Sequence, residues 1–185
     1  RKNYHCFDGG ADLYCYFFEK GLSLLKSGGR LGFISSSGFF KTAFGANLRK
    51  HFEKSARFEC GVDFGDARIF EDVTTYPAIV TVINTPADQP YSFPFLNYEG
   101  DGTDGLAIRF NASAFSYPTE RLKRNRWHFE PEPLWRLRDT IEHNAVGTLK
   151  DIAAPVSGIK TGLTEAFVLS NEDRNQITQR DHESS

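Results

Sequence analysis

Residues 63–84 read Asp63-Phe64-Gly65-Asp66-Ala67-Arg68-Ile69-Phe70-Glu71-Asp72-Val73-Thr74-Thr75-Tyr76-Pro77-Ala78-Ile79-Val80-Thr81-Val82-Ile83-Asn84. The end of this stretch, 78–83, is a short apolar run dense in β-branched residues, the composition of a buried strand. Residues 58–64, which lead into it, read as a second strand. The two are joined too closely for a parallel crossover, which takes about a dozen residues or more and usually a helix. They are therefore expected to be antiparallel. Their connection carries Asp63, Asp66, Arg68, Glu71 and Asp72, with Phe70 among the charges. A ring in that position has two readings. It is a plug closing the end of the core, or a platform on which a planar ligand such as a base stacks.

Working outward, residues 43–55 read as a helix with Leu48 and Phe52 facing in and Arg49, Lys50, Glu53 and Lys54 facing out. Residues 30–35 read as a short buried strand, and 35–40 as a loop at its carboxyl end. The clearest helix is 11–26, where Leu13, Tyr14, Phe17, Phe18, Leu22, Leu24 and Leu25 recur at three- and four-residue steps. Glu19, Lys20, Ser23 and Lys26 fall mostly on its other side. Asp12 near its start suits the helix dipole, and Gly28-Gly29 ends it. Helix, strand, helix, strand, strand is the α/β pattern. Ligands of open α/β sheets bind at the carboxyl ends of the strands. The loops 35–40 and 64–72, both carrying aromatic residues, are thus expected to border a site.

Beyond a turn-rich joint at 86–90 the texture changes. Residues 91–98 alternate as a strand, and Pro94 places it at a sheet edge. Residues 100–105 read as a Gly/Asp-rich loop without calcium-ligand spacing. The run 117–127 is basic, with Arg121, Lys123, Arg124 and Arg126, and ends on Trp127. A helix follows at 131–143, then a short element at 148–153, then a strand or hairpin with glycine corners at 157–169. The polar tail from 170 has the composition of a disordered end.

The bulk numbers narrow the classes. The chain has 185 residues and a net charge of -2, so nucleic acid can be drawn only by local patches. Three cysteines without metal spacing read as reduced thiols of a cytoplasmic protein. No apolar run reaches the roughly 18 residues of a membrane span. The five histidines are scattered, with neither a catalytic dyad nor a metal set among them, and no Ser/His/Asp nucleophile motif is present. The chain starts at Arg1 and contains no methionine, which reads as a piece of a longer polypeptide.

Several blocks resemble a known family. They are Ala11-Asp12-Leu13-Tyr14 through Phe17-Phe18-Glu19, Leu24 through Ile34, Phe44-Gly45, Leu48-Arg49, Asp63-Phe64-Gly65-Asp66 through Phe70, Thr75 through Ile79, Gly158 through Gly162, and Ala166-Phe167. In this order they are similar to the gamma-class DNA adenine-N6 methyltransferases of restriction-modification systems, of the type II methylase/endonuclease fusion type. Residue 164 departs from the pattern: Thr164 stands where the family has Asn.

The resemblance implies an α/β fold: the C-terminal half of a Rossmann-like methyltransferase sheet, followed by the start of a target recognition domain. The implied divisions are 1–86, 87–147 and 148–185. The implied cofactor is S-adenosylmethionine. The glycine-rich cofactor loop and the catalytic Asn/Asp-Pro-Pro-Tyr/Phe are both absent from these residues, so no catalytic residue is assigned and the stretch alone is expected to be inactive. Phe17 resembles the aromatic that packs on the cofactor's adenine, with core packing as its other reading. Phe70 resembles the aromatic that stacks on the flipped adenine, and Ser35, Ser36 and Phe39 would line the rim. Arg121, Lys123, Arg124 and Arg126 either meet DNA phosphates or form a solvated surface. The implied partners are duplex DNA and the missing N-terminal half, with self-association through an open sheet edge and an uncovered apolar face. Two other readings stand beside this one. They are a non-catalytic DNA-binding module and an RNA or small-molecule methyltransferase, and the 158–167 block speaks against the latter.

Overall fold

The β-branched run becomes Pro77–Ile83, strand β3, flanked on both sides by antiparallel neighbours: β1 (Arg30–Ser36) and β2 (Arg57–Asp63). The computed structural model describes residues 3–70, 75–100, 102–154 and 156, with isolated positions 170, 171, 174 and 178. It divides into two units, Arg1–His143 and Asn144–Ser185. The first contains a five-stranded sheet of order β1-β3-β2-β4-β5, where β4 is Ser92–Asn97 and β5 is Phe115–Pro118. β4 runs parallel to β2 and antiparallel to β5.

Alternation along β3 sorts the two faces. Ala78, Val80 and Val82 are buried in a cluster with Cys15, Phe18 and Leu22 of helix α1 (Leu13–Leu24) and Leu48 and Phe52 of α2 (Ala46–Ser55). The Asp12 carboxylate accepts from the Leu13 N–H and caps α1. On the opposite face, Val62, Phe64, Leu96 and Tyr98 pack with Ile69, and with Leu106 and Phe110 of α3 (Leu106–Ser113).

Several expectations are corrected here. The strand read at 30–35 is not buried: among the described residues β1 is an edge strand with one neighbour, and Ile34 is 42% exposed. Residues 37–40 form not a loop but a 3-10 turn, Ser37–Phe40, which drives Phe39 and Phe40 into the core. Pro94 does not put its strand at an edge. Pairing of β4 with β2 begins only at Phe95, so no backbone donor is asked of Pro94 on that side. The 87–147 segment adds β4, β5 and α3 to the body of the fold, so the sheet crosses the division read at residue 86. Arg49, read as outward, is buried, and its guanidinium donates to the carbonyls of Phe39, Thr42 and Asn125. That fan of bonds ties the 3-10 turn to the segment entering Trp127.

Trp127 and Phe129 complete the first core. The Trp127 indole N–H donates to the Leu122 carbonyl at 2.7 Å, and its backbone N–H to Phe40 at 2.8 Å. The Phe129 ring stacks on Phe95 at 3.9 Å. Helix α4 (Glu132–Asn144) follows. In the second unit, α5 (Leu149–Ile152) is closed by a reciprocal capping box between Thr148 and Asp151. The strand or hairpin read at 157–169 lies outside the described residues.

Candidate functional site at the strand ends

Register brings the carboxyl ends of β1, β2 and β4 to one end of the sheet, beside the start of β3: Ser36 pairs with Pro77, and Asp63 with both Ala78 and Asn97. Backbone bonds stitch the connections there. Ser37 N–H donates to Tyr76 at 2.7 Å, Phe64 N–H to Pro77 at 3.0 Å, and Tyr98 N–H to Asp63 at 2.8 Å. The Asp63 carboxylate accepts from the Gly65 N–H at 3.0 Å, and Gly65 takes a left-handed φ of 55° to turn the chain. From this turn the segment carries Ile69 inward and Phe70 outward.

A cavity of about 230 Å³ opens at the same end, with Lys41, Asp63, Asn97, Tyr98, His128 and Glu130 on its walls. Burial pushes the Asp63 carboxyl up, against the pull of the Gly65 N–H and Lys41. Burial likewise lowers His128, helped by Arg138 and Lys41. The hydrogen bond from Arg138 holds Glu130 low. The end of the sheet is therefore polar, with mixed charge, over an aromatic floor.

The residues read from sequence fall into three groups. Phe70 is 45% exposed at the strand ends, and Phe17 is 57% exposed on the outer face of α1 beside Leu13 and Leu24. Ser35 and Ser36 are half-buried; the Ser36 hydroxyl accepts from the Gly38 N–H and caps the 3-10 turn. Phe39 is not at the rim. It is fully buried against Phe18, Phe40 and Phe52, because the 3-10 turn rotates its ring inward.

The basic run is split. The Arg121 guanidinium, only 10% exposed, grips Asp139 of α4 through two bonds of 2.8 and 3.0 Å and lies over the Trp135 ring at 4.3 Å. Arg121 holds the Asp139 carboxyl at about 2. Arg124 reaches Asp139 at 2.8 Å and Glu142 at 3.3 Å. These two arginines anchor α4 rather than face outward as a phosphate-binding pair. Lys123 and Arg126 are exposed and form no ion pair among the described residues.

Two polar residues were missed as structural centres. Arg49 is one. Glu19, read on the outer side of α1, is the other: it is 7% exposed and meets both His5 and His51. The only sequence signal for this was the clash between a carboxylate and the apolar steps around it.

Residues 1–70, which hold α1, β1, α2, β2 and the turn to Phe70, match the Eco57I restriction-modification methylase family. Among curated relatives, the type II methyltransferase M.XhoI of Xanthomonas vasicola is 40% identical over 85 residues, 45% of this chain and 15% of the relative. RM.Eco57I of Escherichia coli, a type II restriction enzyme and methyltransferase, is 32% identical over 121 residues, 64% of this chain and 12% of the relative. The chain thus spans a small part of the length of the proteins it matches. Among solved structures, one of the type I R-M system superposes with a TM-score of 0.46 at 14% identity, covering 75% of this chain and 37% of that one. No helix among the described residues is long and apolar enough to cross a membrane, and none of the three cysteines is disulfide-bonded.

Proposed function

We propose that this chain supplies one wall of the active site of a site-specific DNA adenine-N6 methyltransferase belonging to a cytoplasmic restriction-modification system. The observation that carries this reading is the placement of Phe70. Its ring is exposed at the ligand-binding end of an α/β sheet, while Phe39, Phe40, Phe52, Phe64, Phe93 and Phe95 are all buried. An enzyme that modifies the amino group of a base in a duplex must extrude that base, and a ring on one face returns part of the lost stacking. Phe70 fills that role.

The cofactor of this reading is S-adenosylmethionine, which when bound presents an electrophilic methyl group. The residues here fit only part of its site. Phe17 and Leu13 form an exposed apolar strip on α1 suited to the face of an adenine ring, whereas no glycine-rich cofactor loop occurs in the sequence. The remaining donors, and the acceptors that take the protons of the target amine, come from the portion that completes the sheet. Among the described residues no strand pairs with the outer edge of β1, which can receive one from that portion.

The test uses the methyltransferase that carries this chain. Modified bases mapped in DNA from cells expressing it should be N6-methyladenine at one recognition sequence; a methylated cytosine would overturn the adenine assignment. On that duplex with 2-aminopurine at the target, Phe70→Ala should lose fluorescence enhancement and fall roughly 5- to 150-fold in single-turnover methylation, the equivalent of about 1–3 kcal/mol of stacking. Phe70→Trp should retain both. Equal behaviour of Phe70→Ala and the parent would remove Phe70 from the site.

A further inference from the structure

Glu19 places a carboxylate inside the protein at the seam between the N-terminal segment, α1 and α2. A buried carboxylate is costly unless hydrogen-bonded and charge-compensated. Its hydrogen bonds are supplied from residues 5 and 6. Oε2 accepts the Cys6 N–H at 2.8 Å, and Oε1 accepts the His5 N–H at 2.9 Å and lies 2.9 Å from His5 Nδ1. Its charge is not balanced in the usual way, because among the described residues no lysine or arginine pairs with it and its ion-pair partner is His5. A second imidazole arrives from α2. The His51 ring lies 5.6 Å from the His5 ring and nearly parallel to it, at 18°. One donor atom from each of His5, Glu19 and His51 lies within 4.8 Å of the other two.

We propose that His5, Glu19 and His51 bind one divalent transition-metal ion of the zinc class, with solvent completing the coordination. Two imidazoles and one carboxylate form a nitrogen-rich set that suits zinc or cobalt rather than magnesium or calcium, which take oxygen ligands. Metal–ligand bonds of roughly 2.0–2.2 Å put tetrahedral donors about 3.4 Å apart, so a separation of 4.8 Å must close by about 1.4 Å while the 2.9 Å contact between His5 Nδ1 and Glu19 Oε1 opens by about 0.5 Å. The His5 ring can make that movement, since its side chain is 81% exposed. The same exposure leaves one side of the ion open to water. The carboxylate, fixed by two backbone N–H groups, is the rigid member, as ligand sites require. The bound ion clamps the N-terminal segment onto α1 and α2.

The experiment takes the tag-free chain, stripped with chelator, and titrates it with Co²⁺ by visible absorption and with Zn²⁺ by calorimetry. One equivalent of Co²⁺ should bind with the intense visible bands of four-coordinate cobalt, Zn²⁺ should displace it, and Zn²⁺ should raise the thermal midpoint. His51→Ala is the decisive variant, because His51 takes no part in the hydrogen bonds that fix Glu19. It should weaken binding by more than the roughly 10- to 100-fold that loss of an outer partner costs, and abolish the zinc-dependent rise in midpoint. His5→Ala should do likewise, and His143→Ala, on exposed α4, should leave the titration unchanged. No saturable Co²⁺ uptake, or uptake equal in His51→Ala, would overturn the site and leave Glu19 as a hydrogen-bonded staple.

Discussion

Gly61 lies in β2 between Val80 of β3 and Phe95 of β4. A β-carbon added there would stand 2.5 Å from Phe95 Cε2 and 2.6 Å from Cδ2. Carbon atoms in contact sit about 3.5–4.0 Å apart, so the ring would have to retreat by about 1 Å. It has nowhere to go: Phe95 is 1% exposed, stacked on Phe129, and met by Phe40, Phe93 and Phe115. Overpacking of a closed core costs about 1–3 kcal/mol. Removing a glycine from the unfolded ensemble returns about 0.4–1 kcal/mol. Gly61→Ala should therefore destabilise the chain by about 1–2 kcal/mol, read as a fall of about 0.5–1 M in the urea midpoint. Gly32→Ala is the control. On edge strand β1 its nearest contact would be Thr81 Oγ1 at 3.7 Å, so it should be neutral or slightly stabilising. Phe95→Leu should cost less in the Gly61→Ala background than alone. If Gly61→Ala and Gly32→Ala unfold at the same midpoint, the close approach of the Phe95 ring is not why a glycine stands in β2.

Arg121→Ala should lower stability by about 1.5–3 kcal/mol, the range for hydrogen bonds to charged groups, while Arg126→Ala stays within about 0.5 kcal/mol; equal effects would contradict the anchoring of α4. Burial alone would raise the Glu19 carboxyl, but the N–H groups of Cys6 and His5 outweigh it and bring it from 4.5 to about 2. Its stabilising contribution is thus full above about pH 4.5 and is lost as pH falls toward 2. Glu19→Gln in chelator should flatten this acid limb of the stability curve, and an unaltered limb would show that the contribution lies elsewhere. Among the described residues no strand pairs with the outer edge of β1, and Leu13, Phe17 and Leu24 of α1 are exposed, so the isolated chain should associate with rising concentration in sedimentation equilibrium. A monomer throughout would show that the edge needs no partner.

The strand pair around residue 70 was legible because β-branched density and a short link are local signals, and so was the antiparallel pairing of β2 with β3. What escaped depended on partners far away in sequence. Glu19 and Arg49 were read as solvated because each is a charged residue in a helical repeat; their burial is decided by donors at residues 5 and 6 and by the carbonyl of Asn125. Phe39 could not be placed by type, since a phenylalanine after a strand is equally suited to rim or core, and the 3-10 geometry chose the core. One signal did lie in the sequence unused. Arg121 and Arg124 are three apart, as are Asp139 and Glu142, so the two pairs can meet one-to-one once α4 lies alongside.

That matching of spacings changes what the basic run can do. α4 turns Trp135, Arg138 and Asp139 toward the body of the fold, held by Arg121, Arg124 and Glu130, and shows Leu134, Leu137 and Ile141 to solvent, each more than half exposed. A helix held by its polar side consumes cations that would otherwise be free. Arg121 cannot leave Asp139 for a phosphate without giving up both of its hydrogen bonds to that carboxylate, which would be left to Arg124 alone. Of the four cations, only Lys123 and Arg126 are spare. In duplex DNA, each neutralised phosphate contributes about -0.9 to the slope of log affinity against log salt. If this segment meets the DNA backbone, its share of that slope is close to -2 rather than close to -4. Replacing both Lys123 and Arg126 by alanine should remove that share, whereas Arg121→Ala should leave the slope intact while the protein becomes less stable. A slope that falls by about one unit on Arg121→Ala would mean that the Asp139 contact gives way to phosphate when DNA arrives.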